Sequence, residues 1–151
     1  MAASDAPISP SLSADQISAG VRSRLAKYEN LNLLEQFAMF MGMAQLLEFG
    51  LKRLLSDRYG VELERLERST MGQTVQQLKD RGLRPDYITL LESVVEYRNY
   101  MAHEFLANDA MLRQLLGGDS GRLEIRNLEK GTLELEQALF LYDWCNEHNE
   151  W

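Results

Sequence analysis

The chain has 151 residues, the length of one domain with a sizeable core, and its 45% hydrophobic and 26% charged residues are an ordinary globular mixture. A formal net charge of −7 repels nucleic acid and acidic membranes at long range, so an activity on RNA or DNA needs a local basic groove working against that field. The single cysteine, Cys145, excludes an intrachain disulfide and a cysteine-based zinc site within one chain, and His103 and His148 lie too far apart for metal-ligand spacing.

The opening MAASDAPISPSLSA has neither a basic region nor an apolar run, so it does not read as a secretory leader. No stretch reaches the roughly 20 apolar residues of a membrane span, and a soluble, cytoplasmic protein is expected. Residues 1–12, rich in Ala, Ser and Pro, read as a flexible tail, and 13–151 as a single helical domain. Ser13 with Gln16 forms a capping box that opens a helix to about Asn30, with Ile17, Val21 and Leu25 on one face. Asn32 with Glu35 repeats the device and opens a long helix that ends at Gly60.

That second helix is apolar nearly all round, so it is expected to be central or to pack on two partners. Met39, Met41 and Met43 within it, and Met101 in a neighbouring helix, read as adaptable packing. Gln45, Glu48 and Lys52 form a narrow polar stripe, with Glu48 and Lys52 an i,i+4 pair in the favourable order. Thr70 with Gln73 caps a short helix that Gly82 ends. Pro85 and Asp86 suit the first turn of the next helix, which runs to Phe105. A shorter helix over 110–116 follows. Residues 117–131, GGDSGRLEIRNLEKG, read as a turn-rich excursion in which LEI is briefly extended. Thr132 then caps a last helix with Leu135, Leu139, Tyr142 and Cys145 inward. The fold class is all-α, a bundle of four or five helices.

The stretch YRNYMAHEF, 97–105, is where chemistry concentrates. On a wheel of about 100° per residue, Tyr87, Leu91, Val94, Val95, Ala102 and Phe105 share one face and Arg98 falls in its middle. A guanidinium there needs a carboxylate, a carbonyl or a phosphate. Glu35 or Glu48 of the long helix could supply a purely structural partner. His103 lies about 140° away on an ideal helix, on the face of Glu92, Glu96, Asn99 and Tyr100. Asn99 is its i−4 neighbour and can orient the imidazole; equally, His103 suits a helix end.

Arg98, the polar Asn99, the variable Tyr100-Met101-Ala102 and His103 resemble the motif of the HEPN superfamily: an arginine, a polar residue, a few variable residues, then histidine. The segment ESVVEYRNYMAHEFL is similar to that family's motif helix, and the order of helices agrees in outline. The resemblance implies a helical bundle that dimerises with motif helices facing each other. It further implies a metal-independent endoribonuclease without a cofactor, of the kind found as toxins with cognate antitoxins or in phage defence. Inactive members serve as interaction modules in larger complexes.

By the same resemblance His103 is the general acid or base, Arg98 binds the phosphate and its transition state, and Asn99 holds the histidine tautomer or touches phosphate. The 140° separation favours a composite site at a homodimer interface acting on an RNA substrate, with the uncharged faces of the long helix supplying the contact. Phe105 stands where some toxins of this type carry a tyrosine that the antitoxin modifies; it has no hydroxyl to offer. Arg53, Arg58, Arg81, Arg84 and Arg113 are the cations that could line a groove, or be scattered over the surface.

Overall fold

The computed structural model describes residues 11–116 and 122–151. Helix α1 spans Ala14–Leu25 and α2 Leu33–Tyr59. Short α3, Leu63–Leu66, leads to α4, Met71–Asp80, and α5, Pro85–Tyr100. A π turn, Met101–Phe105, joins α5 directly to α6, Leu106–Leu116, and α7 spans Arg122–His148. The all-α bundle is as expected, and no described residue is in a strand. No helix among the described residues is long and apolar enough to cross a membrane.

Local chemistry sets most of the boundaries. Ser13, Asn32 and Thr70 each accept the N3 backbone N–H, and Gln16, Glu35 and Gln73 each return the bond. Pro85 opens α5 with Asp86 in its first turn. Gly60 stops α2 in the left-handed region at φ 69°, where its N–H reaches back to the Leu55 and Ser56 carbonyls. Helix α1 ends earlier than expected: Ala26–Tyr28 tighten into a 3₁₀ turn and Asn30 turns the chain at φ 66°.

The excursion expected before the last helix is not seen over 122–131, which is helical and continuous with α7. The LEI segment is helix, and Thr132 is an interior, buried residue of it rather than a cap. Gly131 and Thr132 suggested a break, but tertiary packing overrides that bias. A Cβ at Gly131 would stand only 3.1 Å from the Tyr97 ring, so the glycine lets α7 approach α5 closely. Residues 117–121 of that segment, and 1–10 of the expected tail, lie outside the described residues.

Phe40, Leu47, Leu51 and Leu55 of α2 meet Leu91 and Val94 of α5 and Leu135 and Ala138 of α7 in one core. Met101 is buried, and Met41 and Met43 pack partly against this core. Cys145 is a buried apolar side chain. Although α2 is apolar nearly all round, it is not covered all round. Leu34, Leu46 and Phe49 are each at least 60% exposed, with Ala38 and Gly42 exposed between them. Its expected polar stripe is present, with Lys52 3.3 Å from Glu48.

Helix α1 is held by a charged clamp. The fully buried Glu136 of α7 receives Arg24 Nε at 2.8 Å, Lys27 Nζ at 2.5 Å and the Tyr28 hydroxyl at 2.7 Å. A buried carboxylate is tolerable only with this many donors. Burial first, and the Glu136 bond second, push the Tyr28 phenol well above its ordinary value.

Two outcomes follow. Leu91→Ala, at a site with no solvent exposure, is expected to lower unfolding free energy by about 2–5 kcal/mol in urea titrations. Because the folded Tyr28 pKa lies above its unfolded value, its protonated form contributes stability that is present below about pH 10 and declines as pH rises past it. Unfolding free energy measured across that range should therefore fall less steeply for Tyr28→Phe than for the parent chain.

Candidate active site

The motif is positioned by the inner stripe of α5. Tyr87, Ile88, Leu91 and Val94 are buried, and the Tyr87 hydroxyl donates to the Ala138 carbonyl of α7 at 2.8 Å. Arg98 follows Val94 by one turn, half-buried at the edge of the core. Neither expected structural partner takes it. Glu48 engages Lys52, and Glu35 accepts the Asn32 N–H at the start of α2. Among the described residues no carboxylate forms an ion pair with Arg98. Its one hydrogen bond, Nη1 to Asn99 Oδ1, is a long 3.5 Å.

The π turn falls on MAHEF itself. Each residue of a π turn advances less around the axis than the 100° of an α-helix, so Arg98 and His103 stand closer in azimuth than the about 140° of the ideal wheel. This corrects the expected place of Ala102, which turns to solvent, while Phe105 and Met101 are buried as expected. Phe105 stacks on Phe37 of α2 at a centroid distance of 5.3 Å and 6° between planes. A phenolic hydroxyl at that position would be buried in the core, which accounts for phenylalanine there.

His103 and Asn99 are both exposed. The expected Asn99–His103 hydrogen bond is not made, because the Asn99 carbonyl oxygen faces Arg98. Among the described residues His103 makes no hydrogen bond, so its imidazole is open to a ligand. The three residues are thus brought to one accessible end of α5, but they do not form a preassembled network.

Sequence reasoning missed the support beneath them. The Tyr100 hydroxyl donates to the buried carboxylate of Glu124 on α7, with the Asn127 and Asn108 amides beside it. Burial first, then Glu124, raise the Tyr100 phenol, so it stays a donor. Ser93 likewise donates to Glu134 of α7. Ser93, Glu96, Tyr97, Tyr100 and Asn127 line a shallow cavity of about 310 Å³ between the helices. Glu96 and Tyr100 share the helical face of His103 by their spacing. Glu124 and Asn127 fall in the segment whose helical nature was not legible, so no sequence signal pointed to them.

The cations expected as a possible groove are engaged elsewhere. Arg84 binds Asp86 through two nitrogens, and Arg113 lies 3.0 Å from Asp109. Arg53 faces Asp57, Arg58 reaches Asn149, and Arg81 returns to the Gln77 carbonyl. Among the described residues no group of three or more His, Cys, Asp or Glu side chains is placed to hold a metal ion. Comparison with models of known protein families, with curated proteins and with solved structures returns no match.

Among the described residues Arg98 has no carboxylate partner to lose. Arg98→Met is therefore expected to change unfolding free energy by no more than about 0.5 kcal/mol in urea titrations, or to stabilise. A loss well above that would assign Arg98 a structural partner.

Proposed function

We propose that the chain is a metal-independent endoribonuclease of the HEPN type, acting in the cytoplasm as a toxin or phage-defence effector and working as a homodimer. The observation that carries this reading is the open trio of Arg98, Asn99 and His103 at a π turn, with no carboxylate among the described residues paired to the arginine. Turns of this kind concentrate at functional sites. Asn99 and His103 face solvent, Arg98 is half-buried beside them, and the one bond among their side chains is the long Arg98–Asn99 contact.

The proposed reaction needs only these side chains, the RNA and water. His103 takes the 2′-hydroxyl proton while water protonates the leaving 5′-oxygen, or the reverse; the 2′-oxygen forms a bond to phosphorus as the P–O5′ bond breaks. The products are a 2′,3′-cyclic phosphate and a 5′-hydroxyl end. Arg98 offers paired N–H groups to the phosphate oxygens as charge builds on them. Asn99, already turned toward Arg98, holds the guanidinium or contacts phosphate.

The dimer rests on different support from the wheel. The π turn reduces the angular separation that had favoured two chains. The exposed apolar face of α2 supports association instead: Leu34, Ala38, Gly42, Leu46 and Phe49 form a surface larger than scattered single residues need, beside a groove of about 520 Å³. The same face favours the second reading, a non-catalytic dimeric interaction module in a larger complex or bound by a cognate antitoxin. The exposed Glu96 and Glu104 near His103, which repel phosphate, favour it too.

Purified chain incubated with structured and single-stranded RNA in EDTA should cleave it, with activity reduced at least about 100-fold in His103→Ala and in Arg98→Ala. Folded dimer that cleaves none of these RNAs would leave the interaction module. Mixing the two inactive variants should restore cleavage if the site takes Arg98 from one chain and His103 from the other, and should not if both act within one chain. Phe49→Glu should shift the chain to monomer in light scattering; a wild-type monomer at high concentration would end the dimer proposal.

A further inference from the structure

We propose that the cavity between the start of α1, the start of α5 and the end of α7 binds a small organic cation, an ammonium group on an aryl or alkyl body. This cavity, about 510 Å³, lies at the opposite end of α5 from the motif. Fourteen residues of helix, about 21 Å, separate Arg84 from Arg98, so the two sites are distinct. The volume is that of a compact ligand.

The walls set the body of that ligand. Leu12, Ile17, Leu90, Leu141 and Trp144 present apolar surface, each only partly buried. The Trp144 ring is stacked on one side by His148, at 4.6 Å between centroids. That contact braces the indole at the cavity's edge, where its ring can meet an apolar group or a cation.

The polar end sets the charge. Among the described residues Arg84, Asp86 and Glu150 are the charged ones lining the cavity. The guanidinium is already consumed: Nε and Nη2 bind Asp86 at 2.8 and 2.9 Å, and Nη1 donates to the Glu150 carbonyl at 3.0 Å. It has little left for an anion. Two carboxylates against one guanidinium leave a surplus negative charge beside an aromatic ring, the combination that suits an ammonium head. The Arg84 bonds hold Asp86 below the usual carboxylate range, so that charge persists into mild acid. Cys145 at the cavity wall takes no covalent part: burial raises its thiol by more than the neighbouring Arg84 guanidinium lowers it.

Calorimetric titration of the unmodified chain with 2-phenylethylammonium tests this, against 3-phenylpropionate as a body of similar size and opposite charge. The ammonium should bind saturably, one per chain, at least about tenfold tighter than the carboxylate. Leu90→Trp, which fills the cavity, should abolish the binding, and the surface change Glu150→Gln should weaken it severalfold with the helical spectrum unchanged. Equal or tighter binding of the carboxylate overturns the proposal, as does the absence of saturable heat with the ammonium. If Leu90→Trp does not fold, Glu150→Gln decides alone, and unaltered ammonium affinity in that variant also overturns it.

Discussion

The grip on the inner face of α5 is the constraint on which the rest of this protein depends. Tyr87, Leu91 and Val94 are buried in the shared core where α5 packs on α7 and α4, and the Tyr87 hydroxyl pins the helix to the Ala138 carbonyl. Tyr97 then lies on Gly131, where a Cβ would stand 3.1 Å from the ring and require it to shift. These contacts set the rotation of α5 about its own axis. Arg98, one turn past Val94, is thereby placed at the rim of the core, neither immersed in it nor free of it. An arginine at that depth keeps its head near water while apolar contact along its stem directs it.

The π turn acts on the same helix at the next step. A regular α-helix through Phe105 would keep the motif residues on separate faces. Widening the turn over Met101–Phe105 lets Met101 and Phe105 stay in the core while His103 moves toward the side of Arg98. The stack of Phe105 on Phe37 and the Tyr100–Glu124 bond anchor the two flanks of the widened turn to α2 and α7. The support for the candidate site is therefore distributed over three helices, though its three named residues come from one.

Charge divides the molecule along α5. The far end carries Arg84 in close engagement with Asp86, while the motif end carries an arginine without a carboxylate partner among the described residues. Arg58 and Arg81 also have no carboxylate partner among the described residues, but they bond Asn149 and the Gln77 carbonyl, whereas Arg98 has only the long bond to its neighbour. The apolar face of α2 is a second unmatched surface, and a protein contact there would remove it from water.

Much of the fold was legible in the chain because its signals are local. The capping boxes at Ser13, Asn32 and Thr70, Pro85 at the first turn, and Gly60 in the left-handed region each act within four or five residues, and each operates as read. Position along the helix was enough to single out Arg98, Asn99 and His103. What happens between helices was not legible. Gly131 and Thr132 carry a local bias toward a break, yet packing on Tyr97 draws them into α7. The π turn likewise has no local signature, since it arises from burying Met101 and Phe105 together. Sequence alone therefore determined the helices, their caps and the identity of the polar trio. Tertiary structure decided the phase of the motif helix, the buried Glu124 and Glu136 partners and the open face of α2, because each depends on contacts between residues distant in the chain.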